Sequence, residues 1–184
     1  MMTQTITKLT LQEFLALPEG DVTCELINGE AVPKMSPKRF HASLQAELLA
    51  ILRAWCAGDG FVYPEWAIAL QRNGEDWCPV PDLTYISANR LPPDVGNEAC
   101  PVPPELAIEI MSEGQAFKQF IEKAADYLNA GVDRVWIVDP VSRSITVFFG
   151  DRPPQTYTGS TPLTDWMFAN LELTALQVFQ QAGI

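Results

Sequence analysis

Apolar residues recur along this chain with two different periods. Leu44, Leu48, Ile51, Leu52 and Trp55 fall three or four apart, which predicts a long amphipathic helix over about 37–57, ended by Gly58. Phe117, Phe120, Ile121, Ala124 and Leu128 form a second such stripe and predict a helix over about 114–130, ended by Gly131. Other apolar runs are short and dense, as strands are. "FVYPEWAIAL" reads as one strand, with Pro64 implying a sheet edge or a bulge. "PDLTYI" follows after a turn at "QRNGED", and "ELAIEIM" is apolar enough for a central strand. "DRVWIVD" and "SITVFFG" are strands joined by a turn over 140–143. Near the start, Thr10 with Glu13 can cap a short helix over 11–16. Asn28-Gly29 supplies a two-residue turn between "VTCELI" and "EAVPKM", a hairpin. Residues 87–103 hold Pro92, Pro93, Gly96, Pro101 and Pro103 and read as a surface loop, and the tail from Thr174 reads as a short helix.

Helices and strands in this order imply an α/β (α+β) fold, one mixed sheet flanked by helices. No repeat or linker interrupts the chain, so residues 1–184 are expected to form one domain with its core over about 10–180. At 184 residues and 47% hydrophobic, a core of useful size is available. No apolar run reaches the roughly 20 residues needed to span a bilayer. The first ten residues lack an apolar signal-peptide core, so a cytoplasmic location is expected, with no membrane association. Cys24, Cys56, Cys78 and Cys100 are far apart in sequence and read as unpaired, mostly core thiols. With a single histidine, His41, zinc ligation and Ser-His-Asp or Cys-His catalysis find no supporting motif.

Two carboxylates interrupt the dry runs. Asp82 follows Pro79-Val80-Pro81, and Glu109 lies inside "LAIEIM". A buried carboxylate is costly unless a cation offsets it. Alternation puts Glu109 on one strand face with Ala107 and Met111, opposite Leu106, Ile108 and Ile110. Asp82 shares a face with Thr84 and Ile86. If the strands are neighbours, both acids enter one pocket, where a hard cation such as Mg²⁺ would relieve their repulsion and activate water on a phosphate. A lysine two residues after the glutamate would share its face, but Met111 stands there. Lys123 lies on the flank of the second helical stripe with Tyr127 one turn on, and its long stem can reach the site. The same residues admit a structural reading, with Asp82 bonded to backbone N–H groups and Glu109 paired to Lys123 without chemistry.

At these residues the chain resembles a known family. "CELINGEAV", His41 opening a long helix, "VPDLTYI", "PPELAIEIMS" and "EKAADYLNAGVDRVWIVDP" are similar to the Uma-type, restriction-endonuclease-like bacterial proteins of the PD-(D/E)xK nuclease superfamily. The likeness covers about residues 10–180 in order. It implies a mixed sheet with flanking helices and a phosphodiesterase centre using Mg²⁺ (or Mn²⁺). Under it, Asp82 and Glu109 match the paired acids, Lys123 a lysine displaced from strand to helix, Glu25 an acidic position that completes the metal shell, and His41 a histidine common in the family. Glu25 otherwise reads as a solvent-facing hairpin residue, and His41 as a surface residue at a helix start. Cys24 replaces an aromatic, and "SEG" after Met111 replaces Ser-Pro, so that Glu113 adds negative charge.

The formal charge of −11 opposes a broad grip on nucleic acid. Lys34, Lys38 and Arg39, beside His41, form the one basic cluster. It is either a solvated loop or the DNA contact, doubled if the chain forms a homodimer. Three functions are open: a metal-dependent DNA endonuclease, a nuclease fold that binds without turnover, and an acidic structural domain.

Overall fold

The computed structural model describes residues 8–18 and 20–184. The rest of the polar leader, residues 1–7, lies outside the described residues. Thr10 caps α1 (Leu11–Leu15), and Glu13 returns the bond to the Thr10 N–H, completing the capping box. β1 (Cys24–Ile27) and β2 (Glu30–Pro33) form the first hairpin. Its turn needs two left-handed residues, which Asn28 (φ 53°) and Gly29 (φ 82°) supply.

α2 (Arg39–Trp55) buries His41, Leu44, Leu48 and Leu52, a stripe spaced three, four and four. Each of those leucines is fully buried, worth roughly 1.5–3 kcal/mol apiece. β3 (Gly60–Pro64) ends at Pro64, and the expected single strand over 61–70 breaks there. Its second part enters β4 (Leu70–Arg72), which pairs with β5 (Glu75–Trp77) around Asn73-Gly74. The "QRNGED" stretch is therefore a hairpin with arms, not a plain turn. β6 (Leu83–Ser87) and β7 (Leu106–Ile110) are neighbours, antiparallel, with Leu83 opposite Ile108 and Thr84 opposite Ala107.

α3 (Phe117–Asn129) connects β7 to β8 (Arg134–Asp139), the parallel pair of the sheet. A parallel connection needs a crossover, and the helix provides it. β9 (Ser144–Phe149) and β10 (Gln155–Thr158) follow. A single 3-10 turn at Trp166–Phe168 leads to α4 (Ala175–Gln181), capped by Thr174. The six-stranded sheet runs β10-β9-β8-β7-β6-β3. β3 is its edge, where a proline without an N–H is tolerated.

Both sheet faces are covered. Leu106, Ile108 and Ile110 point to α2 and α4, and Ala107 and Met111 point to α3 and the β4–β5 hairpin. The expected stripe of α3 is rotated: Phe120, Ala124 and Tyr127 face the sheet, while Phe117 and Ile121 are exposed. Tyr127, expected on the flank, is fully buried against Trp77, with ring centroids 4.8 Å apart. All four cysteines are free, and three are buried. No described helix is long and apolar enough to cross a membrane.

Candidate active site

Asp82 sits just before β6, where Pro79 and Pro81 hold the chain extended. It is 3% exposed. Its Oδ2 accepts the Ile110 N–H at 2.6 Å and contacts His41 Nε2 at 3.1 Å; its Oδ1 lies 3.1 Å from Lys34 Nζ. Burial pushes the carboxyl up, but the His41 bond, the Lys34 charge and the Ile110 N–H outweigh it and hold the group below the usual range. An ionised carboxylate only accepts, so His41 carries its proton on Nε2; its Nδ1 is buried without a partner.

Glu109, on β7, accepts the Tyr127 hydroxyl at 2.7 Å and lies 2.8 Å from Lys123 Nζ. Burial raises its carboxyl to about 7; Lys123 opposes this, and repulsion from Asp82 and Glu25 adds to it. Glu25, on β1, accepts the Val80 N–H and the Lys123 ammonium, each at 2.9 Å. Burial works against the charged form of Lys123, yet Glu109 and Glu25 raise it above the ordinary lysine range. Both contacts of Glu109 and both of Glu25 fall on Oε1. Each Oε2 has no such partner among the described residues.

Glu25, Asp82, Glu109 and Lys123, with His41 and Lys34, line one open cleft of about 530 Å³. Asp82 and Glu109 are thus brought together from neighbouring strands, with Lys123 arriving from the crossover helix. Glu25 is buried at 7% and does not face solvent, and His41 is buried at 8% and is not a surface residue. The basic cluster divides. Lys34 is inside the cleft, whereas Lys38 and Arg39 are exposed at the start of α2 and outside its lining. Lys38 pairs with Glu113 at 3.3 Å, and Glu113 is not part of the cleft lining.

Two cleft residues escaped the sequence reading. Glu65 pairs with Lys34 at 2.8 Å, and Gln45 donates to Glu65 Oε1 and to the Asp82 carbonyl. Glu65 stands in "YPEW", a carboxylate in an apolar run like the other two, and Gln45 lies one helical turn after His41. Glu65 also holds a left-handed φ of 50°, which costs a non-glycine residue about 1 kcal/mol or more.

Among the described residues no three His, Cys, Asp or Glu side chains form a ready-made metal cage. The donor set nonetheless suits a hard divalent ion. It is all oxygen, two carboxylate oxygens are open, and Glu109 keeps its proton to about 7 although two ammonium groups are near. Burial is the first cause of that raised carboxyl, and the repulsion from Asp82 and Glu25 that adds to it is what a cation in the cleft would relieve.

A family model described as "Putative restriction endonuclease" (Uma2) matches residues 11–177. The chain belongs to this family. The Uma2 match takes in every element that supplies the cleft, from β1 to α3. A crystal structure of a putative nuclease of the DUF820 group from Anabaena variabilis superposes with a TM-score of 0.81. It covers 95% of this chain and 99% of its own, at 22% identity, a likeness of fold. No curated protein matches the chain.

Proposed function

We propose that this Uma2-family protein is a metal-dependent endonuclease that hydrolyses DNA phosphodiester bonds. The observation that carries the reading is the convergence of Asp82, Glu109, Glu25 and Lys123, from four separate elements, on one open cleft. Asp82, Glu109 and Glu25 are the residues that would hold Mg²⁺ or Mn²⁺. When bound, such an ion supplies charge stabilisation on the phosphate and a more acidic water. Lys123, kept charged by its two carboxylates, orients the attacking water and steadies charge developing on the phosphoryl oxygens. Tyr127 fixes the rotamer of Glu109, and the Ile110 N–H and His41 fix that of Asp82. Exposed Lys38 and Arg39 meet the DNA backbone at the cleft's rim, and a homodimer presents two such rims. Free thiols fit a cytoplasmic setting.

The test is cleavage of supercoiled plasmid. The wild type cuts with Mg²⁺ and not with EDTA, while Asp82→Asn and Glu109→Gln lose activity by at least about 100-fold without unfolding the chain. Wild-type cleavage by either variant sinks the assignment. Two observations favour a second reading, a nuclease fold that binds DNA without turnover: both cleft lysines are already paired with carboxylates, and Met111 replaces the strand lysine. Failure of the wild type to cut single-stranded, duplex and branched DNA with either ion, while still binding them, selects it.

A further inference from the structure

Twice in this cleft an ammonium group bridges two carboxylates. Lys123 joins Glu25 to Glu109, and Lys34 joins Glu65 to Asp82. The two bridges differ in what they leave open. Glu25 and Glu109 each keep an oxygen without a protein partner, whereas both Asp82 oxygens are engaged. Around Lys34 Nζ stand Glu65 Oε2 at 2.8 Å, the Val80 carbonyl at 2.7 Å and Asp82 Oδ1 at 3.1 Å. An ammonium has three protons, and all three are used. The side chain is only 18% exposed, so this charge belongs to the cleft wall. Glu65 is fixed there by its own N–H to the Asp82 carbonyl at 3.3 Å and by the Gln45 amide. Two carboxylates and a carbonyl are also a set that hard divalent ions accept.

We propose that Lys34 is a built-in substitute for a second metal ion. Its ammonium occupies the Glu65 and Val80 oxygens and one lone pair of Asp82 Oδ1, and it restricts the centre to a single divalent ion, held by the open oxygens of Glu109 and Glu25 and the lone pair that Lys34 leaves on Asp82 Oδ1. This rests on the metal-dependent reading above. It makes Lys34 a positioning residue acting through Asp82, and it assigns the lysine to the centre in place of the DNA grip. Two-metal centres place a cation on each side of the reacting phosphate; here one of the two is covalently tethered and cannot be chelated away. Lys34→Ala frees three oxygens and removes one positive charge at the same point.

The experiment is a titration with MnCl₂, followed by calorimetry and by the Mn²⁺ EPR spectrum, on folded full-length variants. The wild type takes up about one Mn²⁺ per chain, and K34A about two with a spin-coupled Mn–Mn signal. K34A/E65Q returns to about one. Two equivalents in the wild type, or a single uncoupled ion in K34A, overturn the proposal. If the wild type binds none and K34A gains an ion that E65Q removes, the role of Lys34 stands and the metal-dependent reading of the native cleft fails instead. If neither binds, both fail. Should K34A not fold, Lys34→Met, which keeps the apolar stem, decides by the same titration.

Discussion

Glu109 holds its proton to about 7, because the central strand buries it and two more carboxylates face it. Its folded pKa therefore lies above the ordinary glutamate value of 4.5, and the folded state carries an extra proton between those limits. Its contribution to stability is fully present below the lower limit and is lost as pH rises through the upper one. Asp82 runs the other way: its folded pKa is lowered, so its contribution is present above 3.8 and lost as pH falls. With EDTA present, the wild type should lose on the order of 1–3 kcal/mol relative to Glu109→Gln between pH 5 and pH 8. Melting curves of both proteins across that range check it; parallel curves contradict the raised carboxyl. Asp82 and Glu109 were legible in the sequence because a carboxylate in a dry run demands an explanation. Glu65 carries the same signal, but reading Pro64 as a strand interior hid it, since the strand actually stops there.

Elements were legible where one period dominates. α2 has a single stripe, and His41 continues it, spaced three residues before Leu44. α3 carries apolar residues on two adjacent flanks, and the choice between them is tertiary: Glu109 needs the Tyr127 hydroxyl, so Tyr127 turns inward and Phe117 and Ile121 turn out. β10 gave no signal because one of its four residues, Tyr157, is buried. The segment after it is anchored by charge. Arg134 on β8 meets Asp165 at 2.6 Å with both side chains buried, and Asp165 also accepts the Met167 N–H of the 3-10 turn. Asp165→Ala strands a buried guanidinium and should cost about 3–5 kcal/mol in a urea melt, far more than a surface pair would.

At the scale of the molecule, the formal charge of −11 leaves the proposed DNA binding to a few local cations. Lys38 and Arg39 are exposed beside the cleft mouth, and Arg39 lies over the Phe40 ring. Reversing both, K38E/R39E, should weaken DNA binding by about tenfold or more at low salt and flatten its salt dependence. Turnover of a short phosphodiester model substrate should stay unchanged; a matching loss there would place these residues in the chemistry instead.

Glu25 belongs to neither the large sheet nor a helix. Its short hairpin is tied on by the paired Leu26–Cys78 backbone bonds, by the contacts of Glu25 itself, by the Arg72 guanidinium donating to Asn28 Oδ1 in its turn and by Lys34 just after its second strand, and β2 is exposed along its whole length. One wall of the cleft is thus a detachable panel on a stiffer frame, and panels of this kind open before frames do. In a urea series, hydrogen exchange at Leu26 and Cys78 should quicken, and DNA cleavage should cease, at concentrations where the amides of β7 and β8 are still fully protected.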